Sequence, residues 1–203
     1  MTYYTLSAPC TATLEIKKSQ FLGFGFAIDS REQLMFHVEQ LCSQYPDARH
    51  VCYGYIIGDP HNTTSAGFDD DGEPSGTAGK PILNVLQHKG IGNCVVIVVR
   101  YFGGIKLGAG GLTRAYSSSA QAVVDNMNLQ EFVPLVTLTI ETGFANESFV
   151  RHVINSLEGT ISDVQYAKDV ILSVTIAEKS VAQLTEKIGF YGKTQHDNEQ
   201  YYR

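Results

Sequence analysis

Two loops hold the residues whose types and spacing could do chemistry. The first, residues 68–80, reads Phe-Asp-Asp-Asp-Gly-Glu-Pro-Ser-Gly-Thr-Ala-Gly-Lys and puts four carboxylates, Asp69, Asp70, Asp71 and Glu73, within five positions. Clustered carboxylates are what a hard divalent cation such as Mg²⁺ or Ca²⁺ takes as ligands. The spacing is not that of an EF-hand, because consecutive aspartates do not reproduce its alternating ligand positions. The end of the loop, Gly76-Thr77-Ala78-Gly79-Lys80, resembles a phosphate loop only in part. Pro74 stands where the first glycine belongs, and Pro81 replaces the Ser/Thr that would hold Mg²⁺. The alternative is a solvated turn whose glycines serve positive φ angles.

The second loop runs from Arg100 to Arg114 and contains Gly103-Gly104, Gly108 and Gly110-Gly111. A helix is expected to start near Ala109. The N–H groups that open a helix carry about half a positive charge, and Arg100, Lys106 and Arg114 would add formal charge beside them. That chemistry suits a phosphate or carboxylate. It is not a dinucleotide fingerprint, since Thr113 occupies the place of the last glycine. The competing explanation is that these glycines let the helix pack closely on the preceding strand.

Other candidates are weaker. Arg49 and His50 open a strand, and His61 and His88 flank the acidic loop, but no histidine pair has metal-ligand spacing. Ser75, Thr77 and Ser117–Ser119 lack the context of a nucleophilic serine. Tyr53, Tyr55, Tyr101 and Phe102 could stack nucleobases, although aromatic residues at strand ends usually pack.

The elements that must position these loops are legible from pattern. Cys94–Val99 is an uncharged, mostly β-branched run, suited to a strand buried on both faces. Leu112, Ala115, Tyr116, Ser119, Ala120, Val123, Val124 and Met127 recur at helical steps and define one apolar face. Upstream, the pattern predicts strands at 11–17, 21–28 and 49–57. A helix after Ser30 carries a capping box to Gln33 and an apolar face that includes Leu34, Val38, Leu41, Cys42 and Tyr45. Residues 58–80 read as one long loop, and 81–88 as a short helix with Pro81 in its first turn. A domain boundary is expected at 130–134, dividing the chain into 1–133 and 134–203. The second part reads strand–helix–strand–strand–helix–strand, with Asn146 as a helix cap and a capping box from Ser180 to Gln183. That order is ferredoxin-like.

At 203 residues the chain can bury one large or two small cores. The net charge of −6 divides evenly: nine Lys/Arg against twelve Asp/Glu in residues 1–133, and six against nine in 134–203. Neither part is a basic nucleic-acid module, so any RNA contact must use a local patch. No apolar run approaches the roughly 18 residues of a membrane span, and the N-terminus has no secretory pattern. The four cysteines have no C-x-x-C pair, so reduced thiols and a cytoplasmic location are expected.

Taken together, in order and separation, the two loops closely resemble the signature of the IMPACT family, in its bacterial YigZ-like branch. Tyr45-Pro-Asp-Ala-Arg-His50 and Glu15-Ile-Lys-Lys-Ser19 also match. The resemblance is strong to about residue 130. It implies an α+β chain of two domains: an N-terminal α/β sandwich like domain four of elongation factor G, and a ferredoxin-like βαββαβ domain. It implies a translation-associated, non-catalytic regulator whose partner is the ribosome, RNA or a translation-related protein. No catalytic residues and no cofactor follow from it. The binding residues expected from the two loops are Arg100, Lys106, Gly108, Gly110, Gly111, Arg114, Gly76, Thr77, Gly79, Lys80, Arg49 and His50. A divalent metal on Asp69, Asp70, Asp71 and Glu73 would instead suit an enzyme acting on a phosphorylated or nucleotide-like small molecule, provided the two loops meet in one cleft. A third reading is a protein-interaction adaptor, as in eukaryotic relatives.

Overall fold

The computed structural model describes residues 3–202, with side chains through Gln195. In chain order the elements are β1 (Tyr3–Leu6), β2 (Cys10–Ile16), β3 (Ser19–Ala27), α1 (Arg31–Gln44), β4 (His50–Asp59), β5 (Asn62–Asp69), α2 (Gly79–Lys89), β6 (Cys94–Tyr101), α3 (Ala109–Asp125) and β7 (Leu129–Phe132). There follow β8 (Pro134–Thr142), α4 (Glu147–Ser156), β9 (Thr160–Tyr166), β10 (Val170–Ala177), α5 (Val181–Ile188) and β11 (Lys193–Tyr202). The fold is α+β in two compact units, 3–131 and 132–202.

The first unit is built on a five-stranded antiparallel sheet in the order β2-β3-β6-β4-β5. Its centre is β6, because only a strand without charge can be covered on both sides. Cys94, Val96 and Val98 face one core, shared with Ile82, Leu86, Leu112, Tyr116 and Val123 of α2 and α3. Val95, Ile97 and Val99 face the other, closed by Leu34 and Leu41 of α1. The expected α3 face is buried residue for residue. Close helix–sheet packing does use glycine, but in the strands. A Cβ at Gly54 would lie 2.5 Å from the Leu83 backbone nitrogen.

Three expectations need correction. Residues 58–80 are not one loop: β5 pairs with β4 as a hairpin. Asn62–Ala66 is polar because β5 is an exposed edge strand, so it shows no hydrophobic alternation. Cys42 is exposed and not on the buried face of α1. The α1 cap does form, with Ser30 Oγ accepting from the Gln33 N–H at 3.4 Å, while Gln33 Oε1 accepts from the Asp29 N–H at 3.0 Å. The other capping assignments fail: Asn146 and Ser180 have helical backbone angles and make no side-chain cap, because a 3₁₀ turn leads into each helix.

The second unit has sheet order β11-β8-β10-β9, every pair antiparallel. One core joins Leu138, Ile140, Leu172 and Val174 to Val150, Ile154, Leu184 and Ile188 of α4 and α5. That is the ferredoxin-like arrangement. Among the described residues, no helix is long and apolar enough to cross a membrane.

Candidate functional site

The site grows from strand parity. Residues directly opposite each other across an antiparallel pair share a face. Arg100 is opposite Phe21 on β3 and opposite His50 on β4. The three form a row at one end of the sheet, on the α2–α3 side. Arg100 follows Cys94, Val96 and Val98 at the next inward position, so an arginine that looks like the end of a strand is 94% buried, with 6% of its surface exposed.

A buried cation needs a partner. Glu73 supplies it from the acidic loop: Arg100 Nη1 donates to Glu73 Oε1 at 2.5 Å, and Tyr116 Oη donates to the same oxygen at 2.8 Å. Cys52 Sγ lies 3.5 Å from Tyr116 Oη and 3.1 Å from the Asp70 carbonyl oxygen. Burial pushes the Cys52 thiol and the Tyr116 phenol well above their ordinary pKa ranges. Both therefore stay protonated, Tyr116 as a donor to Glu73. Arg100 also lies near two rings, its Cζ 5.5 Å from the centre of Phe21 and 5.7 Å from that of Phe102. Its Nε is buried without a hydrogen-bond partner.

His50 is oriented from the same loop. Its Nδ1 lies 2.7 Å from the Asp71 carbonyl oxygen. A carbonyl only accepts, so Nδ1 carries the proton. Nε2 is left 3.9 Å from Glu73 Oε1.

The four carboxylates do not converge. Asp70 Oδ2 accepts from the Gly76 N–H at 2.7 Å, and Oδ1 accepts from Ala78 and Gly79 at 3.0 and 2.8 Å. Asp71 Oδ2 accepts from the Val51 N–H at 2.6 Å, and Asp69 Oδ1 from the Asp71 N–H at 2.8 Å. No group of three or more His, Cys, Asp or Glu among the described residues is placed to hold a metal ion. The cation reading of Asp69, Asp70, Asp71 and Glu73 gives way to a structural one: Asp70 caps α2, Asp71 anchors β4 and Glu73 neutralises Arg100. The loop ending in Gly76, Thr77, Gly79 and Lys80 already binds an anion, and the anion is Asp70.

The second loop is different. Gly108 precedes α3 with φ +71° and supplies no side-chain cap, and the first turn contains no acid. A Cβ at Gly108 or Gly110 would meet nothing within 4 Å, so tight internal packing does not explain either glycine. For Gly108 the positive φ is reason enough. Gly110 sits in a helix, where glycine costs about 0.5–1 kcal/mol relative to alanine, and neither backbone angle nor internal contact accounts for it.

The two loops do meet. A cleft of about 360 Å³ is lined by Arg49, His50, Glu73, Pro74, Arg100, Phe102, Lys106, Leu107, Gly108, Ala109 and Leu112. Three cations, Arg49, Arg100 and Lys106, stand against one carboxylate, Glu73, so an acidic chain has a locally positive cleft. Arg114 and Lys80 are exposed and do not line it. Tyr53 and Tyr55 are buried, which removes them as base platforms, whereas Phe102 is 45% exposed. The sequence reading missed Phe21, Tyr116, Pro74, Leu107 and Leu112. Tyr116 was visible only as one more position on an apolar face.

A two-domain α+β chain with a positive cleft between two signature loops is the class of protein that fold and site define. The chain belongs to the IMPACT family: the Impact N-terminal domain pattern matches residues 17–124, a span that contains both loops. The IMPACT family member YigZ of Escherichia coli is 35% identical over 187 residues, 92% of either chain. An IMPACT family member of Haemophilus influenzae is 33% identical over 177 residues, 85% of this chain and 86% of the relative. A crystal structure of a hypothetical protein, 32% identical, covers 98% of both chains with a TM-score of 0.70.

Proposed function

We propose that this protein is a non-catalytic, translation-associated regulator of the cytoplasm whose cleft binds a phosphate group of RNA. The observation that carries the reading is the pairing of an uncapped α3 N-terminus with Arg100, a buried guanidinium whose Nε is unpartnered, in one cleft. A helix N-terminus and a spare arginine donor are complementary to a phosphate oxygen. Membership of the IMPACT family, resemblance to which implies domains like those of elongation factor G, supports the translational setting. The net charge of −6 keeps general affinity for polyanions low, so binding is specific to this site and falls with salt.

Sedimentation with ribosomes and with RNA across a salt series tests the reading. Co-migration is expected at low salt. Each rim cation that meets a phosphate contributes about 0.7 to the slope of log K against log salt on a single strand, so Lys106→Ala should flatten it by that amount. Absence of co-migration at the lowest salt refutes the proposal. Capture of one protein, unaffected by nuclease, would replace it with the adaptor reading.

A further inference from the structure

We infer that the occupant of the cleft is a nucleotide, with its phosphate on the α3 N-terminus beside Arg100 and its base stacked on Phe102. This rests on the phosphate-binding reading above and adds the ring. Three observations ask for one. The cleft, about 360 Å³, falls within the roughly 300–1,000 Å³ of small-molecule sites and has room beside the phosphate. Its walls include Phe102, Leu107 and Leu112, apolar groups that a bare phosphate does not use. Above all, Arg100 lies at cation–π distance from two rings, its Cζ 5.5 Å from the centre of Phe21 and 5.7 Å from that of Phe102. Phe21 is fully buried and set edge-on to Tyr116. Phe102 is 45% exposed and lines the cleft, so it offers aromatic surface beside the guanidinium. A nucleobase is the flat group that stacks on such a ring.

The lining also limits what the site reads. It contains no Asn, Gln, Ser or Thr, and its cations are taken up by the phosphate. Stacking on Phe102 then supplies most of the contact with the base, and stacking tolerates every base.

The experiment is a calorimetric titration of the full chain with inorganic phosphate, ribose 5-phosphate and the four common nucleoside 5′-monophosphates, repeated on Phe102→Ala and Phe102→Tyr. The nucleotides are expected to bind about tenfold tighter than ribose 5-phosphate, and to agree with each other within about threefold. Phe102→Ala should abolish that advantage, so that on this variant the nucleotides bind no tighter than ribose 5-phosphate, while Phe102→Tyr retains it. Nucleotides no tighter than ribose 5-phosphate, or a Phe102→Ala chain that binds them normally, would overturn the nucleotide and leave the phosphate site standing. A phosphoserine peptide that binds more tightly than any nucleotide would overturn it as well. Failure of every phosphate compound to bind would remove both readings.

Discussion

Replacing Asp70 with alanine should destabilise the first unit and at the same time turn its loop into an anion receptor. In the wild type the Asp70 carboxylate accepts from the N–H groups of Gly76, Ala78 and Gly79 at 2.7, 3.0 and 2.8 Å. Hydrogen bonds to a charged group are worth about 1.5–3 kcal/mol each. Three at the low end would give roughly 4.5 kcal/mol. Asp70 is only half-buried, so water replaces part of this, and loss of a helix cap alone typically costs about 1 kcal/mol. A net loss of about 3 kcal/mol follows, equivalent to a fall of roughly 12 °C in melting temperature at about 4 °C per kcal/mol for a unit of this size. Urea and thermal denaturation measure it. The second half of the prediction separates capping from generic packing. The three freed N–H groups should accept an external anion, so sulfate at constant ionic strength should stabilise Asp70→Ala more than wild type. Comparing the two chains removes the general stabilisation that sulfate gives any fold. A loss below about 1 kcal/mol, or equal sulfate responses, would refute the assignment of Asp70 as the internal anion.

Gly110→Ala should raise stability by about 0.5–1 kcal/mol, because the added Cβ meets nothing within 4 Å, while weakening RNA retention in the sedimentation assay. A stabilised chain with unchanged binding would show that Gly110 has no ligand beside it. Glu73→Ala strands Arg100 without its carboxylate and should cost about 3–5 kcal/mol in urea denaturation; a loss under 1 kcal/mol would mean that water had replaced the pair. Stability should also fall in alkali. Burial holds the Cys52 and Cys94 thiols above their ordinary range in the folded chain. The folded pKa exceeds the unfolded value of about 8.5, so this contribution is intact below that pH and is lost as pH rises through and beyond it. The unfolding free energy from urea denaturation should be flat to pH 8 and then decline, approaching roughly 1.4 kcal/mol per pH unit for each thiol; a flat profile to pH 10 would contradict the burial of these thiols.

What could be read without coordinates follows from where the physical signal lies. β6 and α3 announced themselves because burial on two faces, or on one helical stripe, leaves a periodic trace of apolar residues. β5 left none, since Asn62–Ala66 faces water at the sheet edge and owes its conformation to the β4 hairpin. The site is legible in its parts and not in its pairing. Arg100 and Glu73 are 27 positions apart, and nothing local says that one neutralises the other. Strand parity would have helped, because Arg100 continues the inward series Cys94, Val96, Val98, and an arginine at such a position demands a carboxylate. Tyr116 is the harder case: its ring belongs to the apolar face and its hydroxyl to the polar site, and periodicity registers only the ring.

The two glycine loops began with the same credentials, and the fold gives them opposite fates. Both present backbone N–H groups at the start of a helix. The first has an aspartate six to nine positions upstream of those groups, folded back onto them, so its anion is built in. The second has no acid in the first turn of its helix and no side chain at Gly108 to cap it. The carboxylate nearest that cleft, Glu73, is already spent on Arg100 and Tyr116. An acidic chain that fills one helix start with its own carboxylate and surrounds the other with Arg49, Arg100 and Lys106 distributes its charge unequally between two similar loops. The unequal distribution, more than the glycines themselves, sets the two helix starts apart: the first carries its own anion, and the start of α3 does not.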